Sequence, residues 1–334
     1  MADSKGRTPI MLAAHSHNQS CLNWLVKAGE AFVRAPDHAG RTALHYACAT
    51  LDEDVPAVLS LLKHGADVKA QDNEGATALH VVAELNHLAV ANLLLAENAD
   101  LDVLTRDGFT PLHCAASNGH TGMTELLVDS GASILAAEPL MLTPLHLAAA
   151  GHPHCLEPLL GKACQQRQQH HQQAVLSSGG GSAPATPFSS SLVQDALNAA
   201  DSTGDRAVHK AAAAGDASSL ELLAAAGAEL QHCTRTLGEN LLHLAASSGV
   251  AECVRVALRL LGASVEKRAQ IVNSRDLALR TPLHRALGAD ACALLLEAGA
   301  DSSLVDHDQR SVLHCAAALS SGDHVRLSLA RLDP

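Results

Sequence analysis

The chain has 334 residues, 47% of them hydrophobic and only 1% aromatic, with a formal net charge of −12. It can bury a core, and that core must be built from Leu, Ala and Val. The negative charge and the scarcity of aromatics argue against a phosphate-binding or base-stacking surface, so no nucleic-acid partner is expected. No apolar run approaches the roughly 20 residues needed to span a bilayer, and no membrane insertion is expected. The opening "MADSKGRTPI" has no apolar signal core. The nine cysteines are odd in number, dispersed, and mostly at apolar helix positions, as reduced core thiols are. An intracellular protein, cytoplasmic and/or nuclear, is expected.

In chain order, Asp3-Ser4-Lys5-Gly6 reads as a turn, and Thr8-Pro9 as the start of a helix, "TPIMLAAHSHN". A second helix carries Leu22, Leu25 and Val26. The phrase then returns as "TALHYACATLD" from Thr42, "TALHVVAELNH" from Thr77, "TPLHCAASNGH" from Thr110 and "TPLHLAAAGHP" from Thr143, at steps of 33 to 35 residues. One unit can be read through residues 72–100. "DNEG" is a turn with Gly where positive φ is needed. Thr77 caps a short Ala-rich helix, and Asn86-His87 ends it. A second helix from Leu88 carries Leu93, Leu94 and Leu95 toward a core. One helix pair cannot bury both faces, so neighbours must stack on it.

After Thr143 the pattern weakens. Pro158 falls where the second helix should run and predicts a helix that is short, kinked or started late. "HPHC", His152 to Cys155 with Cys164 beyond, matches no standard zinc-ligand spacing. The surplus "QQRQQHHQQAVLSSGGGSAPATPFSSS" predicts a mobile loop. The units resume as "RAVHKAAAAGD" from Arg206, "NLLHLAASSGV" from Asn240, "TPLHRALGADA" from Thr281 and "SVLHCAAALSS" from Ser311. Extra residues at 264–272 predict a longer second helix or exit loop. "RALGAD" predicts a shortened first helix after His284. Neither end has the polar outer face of a capping repeat. A monomer is expected unless such ends associate.

T-P-L-H-x-A met repeatedly in register at this period resembles the ankyrin repeat. The resemblance covers nearly the whole chain. It implies an all-α ankyrin-repeat solenoid of stacked helix-turn-helix units with β-hairpin-like finger loops, interrupted by one disordered insert. The expected division is residues 3–163 for repeats 1–5, 164–194 for the insert, and 195–334 for repeats 6–9. It also implies a concave surface of fingertips and inner-helix turns that grips partner proteins. Asn198 and Asn273 match the loop asparagine that is hydroxylated in some members; a turn hydrogen bond is its ordinary role.

The recurring Thr42 and His45, Thr77 and His80, Thr110 and His113, Thr143 and His146, Thr281 and His284, with His209, His243 and His314, are read as a buried polar bridge. A metal ligand would not recur at one register without partners. No nucleophile–base set or phosphate loop is present, so no catalytic residue, cofactor or metal is expected. The position before each Thr reads Arg7, Arg41, Ala76, Phe109, Leu142, Asp205, Glu239, Arg280 and Arg310. The expected partner-binding set is therefore an apolar centre of Ala76, Phe109 and Leu142, with Leu140 and Met141 on the neighbouring tip. Arg41, Arg280 and Arg310 lie toward the ends. The apolar tip either meets a partner or packs under the insert. The expected function is a scaffold or adaptor that binds a partner protein. The alternative is the targeting or regulatory segment of a larger enzyme, channel or ubiquitin-ligase subunit.

Overall fold

The computed structural model describes residues 2–28, 32–136, 141–161, 191–262 and 265–318. The chain is all-α and divides into two compact units, Met1–Pro139 and Leu140–Pro334. The expected insert, 164–194, lies almost wholly outside the described residues, as do Cys164 and the final "HVRLSLARL".

In the first unit the inner helices are α1 (Pro9–His15), α3 (Ala43–Cys48), α5 (Ala78–Leu85) and α7 (Pro111–Ser117). The outer helices are α2 (Gln19–Ala28), α4 (Val55–Lys63), α6 (Leu88–Ala96) and α8 (Thr121–Asp129). Inner packs on inner and outer on outer, layer by layer. In the second unit the order is α9 (Pro144–Ala149), α10 (153–161), α11 (Ser191–Asn198), α12 (Ala207–Ala214), α13 (Ala217–Ala225), α14 (Leu241–Ser247), α15 (Ala251–Leu261), α16 (Val265–Val272), α17 (Pro282–Arg285), α18 (Ala289–Glu297) and α19 (Val312–Ala318). There α9, α12, α14, α17 and α19 form the inner row, and α13, α15 and α18 the outer. Because α9 packs directly on α12, the inner row continues although residues 162–190 intervene in sequence.

Each inner helix starts the same way for the same reason. Its N-cap residue is extended, as at Thr110 (φ −92°, ψ 166°), and Pro111, Pro144 and Pro282 follow where no N–H is needed. The Thr77 N–H donates to His80 Nδ1 at 3.1 Å, and the Thr77 hydroxyl meets the same nitrogen at 2.9 Å. Nδ1 therefore accepts, and the ring proton sits on Nε2. From there it donates to the Phe109 carbonyl of the next layer at 3.1 Å. His45 reaches the Ala76 carbonyl at 3.1 Å, His146 the Asp205 carbonyl at 3.2 Å and His243 the Arg280 carbonyl at 3.0 Å. His209 departs from this register and meets the His232 carbonyl at 3.0 Å. The turn that follows, Thr234 to Glu239, holds one more residue than the others and moves the usual acceptor away.

The buried hydrophobic side chains are overwhelmingly Leu, Ala and Val. Small residues on α3, α5 and α7 let adjacent inner helices approach closely. Of the three consecutive leucines on α6 only Leu94 is fully buried, while Leu93 and Leu95 are half-buried. Three consecutive residues on a helix span about 200° and cannot share one face. Pro158 neither shortens nor delays its helix, contrary to two of the three expected effects. The helix runs through it from 153 to 161, as long as α4 and α6, and starts no later than they do. Its missing N–H removes one ladder bond, and the carbonyl it spares belongs to exposed His154, where water can take it. The extra residues after α15 form a separate short helix, α16, packed on α15. Helix α17 is a single turn, because Ala286 is extended (φ −62°, ψ 125°).

Candidate functional site

The fingers are five- or six-residue turns, most of them built on a buried acceptor. Asp37 Oδ1 accepts the Ala39 and Arg41 N–H groups, each at 2.8 Å, and the Asp37 N–H closes the turn on the Arg41 carbonyl at 2.9 Å. Asp72, Asp201, Asp276 and Asp306 repeat this with the second and fourth N–H after them. Neighbouring fingers are then tied backbone to backbone. The His38 N–H donates to Lys5 O at 3.0 Å, Asn73 to Ala39 O at 2.8 Å and Arg106 to Glu74 O at 2.7 Å. In the second unit Leu277 donates to Leu237 O at 2.9 Å and His307 to Ala278 O at 3.0 Å. The backbone of each row is thus spent on itself, and the tip side chains are what it presents outward.

Within this frame the expected binding residues separate. Ala76 and Phe109 lie on successive fingers of the first unit, both half-buried, and the Phe109 ring stands edge-on to His113 at 5.7 Å. Part of the Phe109 surface therefore already has a partner within the fold. Leu142 is half-buried in the second unit, Met141 is 55% exposed, and Leu140 lies outside the described residues. Arg41 is not a free rim charge. Its guanidinium approaches Asp37 Oδ2 at 3.4 Å and covers the Tyr46 ring at 5.0 Å. Arg280 and Arg310 likewise pair with the aspartates that open their own turns, Asp276 at 2.8 Å and Asp306 at 2.9 Å. Arginine occupies this register because the turn's second carboxylate oxygen is waiting for it. These two arginines nevertheless line one cavity, together with His284 and His314.

The acid at the head of the finger carries several bonds at once. Asp37 is buried and also accepts the Tyr46 hydroxyl at 2.7 Å. Burial opposes its ionisation, but Tyr46, the Arg41 and Ala39 N–H groups and the Arg41 charge outweigh that and lower its pKa. Asp37→Ala is expected to destabilise by about 2–4 kcal/mol, since two N–H groups and a hydroxyl lose their acceptor. Urea denaturation measures it, and an unchanged midpoint would contradict the finger's role.

Asn198 and Asn273 both tie a loop to the next repeat. Asn273 Oδ1 accepts the Asp301 N–H at 2.8 Å and its amide donates to the Gly299 carbonyl at 3.1 Å. Asn198 Oδ1 accepts from the Glu229 N–H at 3.3 Å and from Arg206 Nη1 at 3.1 Å. One further feature of the second unit was not anticipated from the sequence. Leu237, Leu277 and Leu279 are exposed on adjacent fingertips, Leu277 at 71%. Their signal was present: "DLALR" puts Leu279 where "DNEGA" and "DHAGR" put Gly, and its φ is 58°.

A family profile described as "Ankyrin repeats (3 copies)" matches residues 1–72, 48–138, 79–170 and 208–306. The chain belongs to the ankyrin repeat family, and its coarse function is to bind protein. It is similar to the nuclear factor NF-kappa-B p105 subunit of Mus musculus, 36% identical over 100 residues, 29% of this chain and 10% of that protein. It is similar to the B-cell lymphoma 3 protein homolog of Mus musculus, 37% identical over 97 residues, 28% of this chain and 21% of that protein. It is also similar to the tyrosine-protein kinase HTK16 of Hydra vulgaris, 34% identical over 92 residues, 27% of this chain and 12% of that protein. The chain spans between about a tenth and a fifth of the length of these relatives.

Proposed function

We propose that the chain is a scaffold or adaptor that binds a partner protein on the face formed by its fingertips and inner helices. The observation that carries this is the division of labour in the finger row. Backbone bonds and motif histidines hold the row, while the tip side chains are left exposed and differ from finger to finger. A fixed frame with variable side chains suits recognition of a protein surface at low ordering cost. The negative charge of the chain disfavours nucleic acid as that partner. An intracellular site of action, cytoplasmic or nuclear, fits the reduced core thiols Cys48 and Cys253, which burial pushes upward in pKa, Cys253 to about 12.

A second reading is favoured by the lengths of the relatives. The array serves as the targeting or regulatory segment of a larger enzyme, channel or ubiquitin-ligase subunit, and binds its partner on the same face. Site-specific photo-crosslinking in cell extract tests the face itself. A crosslinker at Arg106 or Leu277 is expected to capture a discrete partner, and one at Glu125 on α8 or Ser218 on α13 is not. Capture only from the outer helices would place the binding surface elsewhere.

A further inference from the structure

Among the described residues six fingers open on an aspartate, and each commits Oδ1 to the N–H groups of its own turn. In five of them the second oxygen takes a cation from the same repeat. Asp3 Oδ2 meets Arg7 at 2.8 Å, Asp37 Oδ2 meets Arg41 at 3.4 Å and Asp201 Oδ2 meets Lys210 at 2.7 Å. Asp276 Oδ2 meets Arg280 at 2.8 Å and Asp306 Oδ2 meets Arg310 at 2.9 Å. Asp72 is the exception. Its Oδ1 accepts the Glu74 and Ala76 N–H groups, each at 2.9 Å, as in the other fingers. The residue four places on is Ala76, however, and Val81 stands where the Asp201 repeat has Lys210. Among the described residues no Lys or Arg pairs with Asp72.

The surface around this oxygen is apolar. Ala76 is shorter than its counterparts on the two neighbouring fingers, Arg41 and Phe109, so the row dips at this layer. On one side of the dip Arg41 is committed to Asp37 and to the Tyr46 ring. On the other side Phe109 is half-buried. Helix α5 buries Leu79, His80, Val82 and Ala83 and turns Val81, Glu84 and Leu85 away from the core, at the three- and four-residue spacing of one helix face. Leu85 is 38% exposed, and Cys114 on α7 repeats the position of Val81 in the next layer.

The charge here is one-sided. Residues 71–139 hold ten Asp or Glu and a single Lys or Arg, Arg106, which lies 3.8 Å from Glu74. Glu84 and Asp107 are exposed, and no ion pair engages either among the described residues. Burial, and then the Glu84 charge, push the Cys114 thiol up to about 11, so the Glu84 carboxylate faces the same surface as Cys114.

We propose that this part of the first unit, from the Asp72 finger to the open face of α5 and α7, docks a segment of a partner protein that carries an Arg or Lys flanked by aliphatic side chains. The partner's cation takes the place at Asp72 Oδ2 that Arg41, Arg280 and Arg310 fill in their own fingers. Ala76 leaves the room for it. Val81, Leu85 and Phe109 meet the aliphatic neighbours, while Glu84 and Asp107 favour a basic segment and repel an acidic one. The proposal rests on the protein-binding reading above and narrows it to one class of partner.

Ala76→Arg tests it by supplying the missing cation within the chain. Arg280 shows that the register accepts one, since its carbonyl still takes the His243 bond at 3.0 Å while its guanidinium holds Asp276. The variant is therefore expected to keep or raise Tm and to fill the site. A random dodecapeptide library displayed on phage is selected on the full chain, and the enriched peptides are expected to combine Arg or Lys with Leu, Ile, Val or Met. A synthetic consensus peptide should bind at least about tenfold more weakly to Ala76→Arg and to Asp72→Asn, which keeps the turn's acceptor oxygen, and equally to Leu277→Ser in the second unit. If Ala76→Arg lowers Tm, Asp72→Asn decides alone. Enriched peptides without a basic residue, no enrichment at all, or consensus binding indifferent to both variants would each overturn the proposal. So would an oligolysine that binds as tightly as the consensus, because diffuse acidity alone would then account for binding. Self-association of the unaltered chain that Ala76→Arg abolishes would give the face to a second copy and overturn it as well. If the finger crosslinks at Arg106 or Leu277 still capture a partner in those cases, the general binding face stands and only this docking site falls.

Discussion

His80→Ala is expected to destabilise the protein by about 2–4 kcal/mol, among the largest effects of any single polar substitution in the array. The side chain is 3% exposed and does three things. Nδ1 accepts the Thr77 N–H at 3.1 Å and meets the Thr77 hydroxyl at 2.9 Å, and Nε2 donates to the Phe109 carbonyl at 3.1 Å. Alanine removes all three and leaves a backbone donor in one layer and a backbone acceptor in the next without partners. Each such orphan costs roughly 1–3 kcal/mol, and the vacated volume adds to that. His80→Gln should recover part of the loss, since an amide oxygen can still take the Thr77 N–H while the bridge to the next layer stays broken. His38→Ala, on an exposed fingertip, serves as the neutral control. Urea denaturation of the three variants decides it. If His80→Ala matches His38→Ala within about 0.5 kcal/mol, the inter-layer bridge contributes nothing to stability.

This histidine also shows why much of the fold was legible in the sequence. Thr77 and His80 are three apart, so a helix beginning between them must bring the ring back over the cap, and the repetition of the pair marks every inner helix. The capping Thr, the N1 prolines and the turn aspartates are local devices whose geometry depends on a few neighbouring residues. Side-chain direction on α6 was harder to read, because "LLL" does not say which of its three leucines faces the core. The binding residues were harder still. Arg41, Arg280 and Arg310 looked like rim charges because their partners, Asp37, Asp276 and Asp306, lie four residues earlier, outside the column of residues that precede each Thr. The exposed Phe109 of the sequence reading is half-buried against His113, another contact four residues away. Leu279 could have been found by asking which fingers lack the glycine that their φ requires. The cavity lined by Arg280 and Arg310 could not, since its walls come from elements far apart in sequence.

Stability is expected to fall as the pH is lowered from 6.5 toward 4, beginning well above the ordinary carboxylate range. Burial lowers the pKa of His45, His80, His146, His209 and His284, partly offset by the carbonyl each one faces, and brings His243 to about 4. The neutral form is the one the fold needs, because Nδ1 must accept the capping N–H and a protonated ring cannot. In the unfolded chain these imidazoles titrate near 6.5. Below that pH the unfolded state binds protons that the folded state refuses, so the free energy of unfolding decreases with falling pH. Each histidine held neutral contributes a slope of up to about 1.4 kcal/mol per pH unit, and His243 alone amounts to about 3 kcal/mol across its window. The stability is fully present above pH 6.5 and is lost as the pH passes down through the folded values. The finger aspartates act later. Asp201 is held at about 2, where burial is outweighed by Lys210, the Thr203 hydroxyl and the Asp205 N–H, so its contribution is lost only below the ordinary carboxylate range. Two acid limbs should therefore be separable, one from histidines between pH 6.5 and 4 and one from aspartates below it. Thermal melts at pH 7.5, 6.5, 5.5 and 4.5 are expected to show a steady fall in Tm across the last three. His80→Gln, which cannot titrate, should start lower and fall less steeply. A Tm that stays level from pH 7.5 to 4.5 would mean that the histidines accept protons without breaking their caps, and the bridge would then have to be re-drawn with a charged ring.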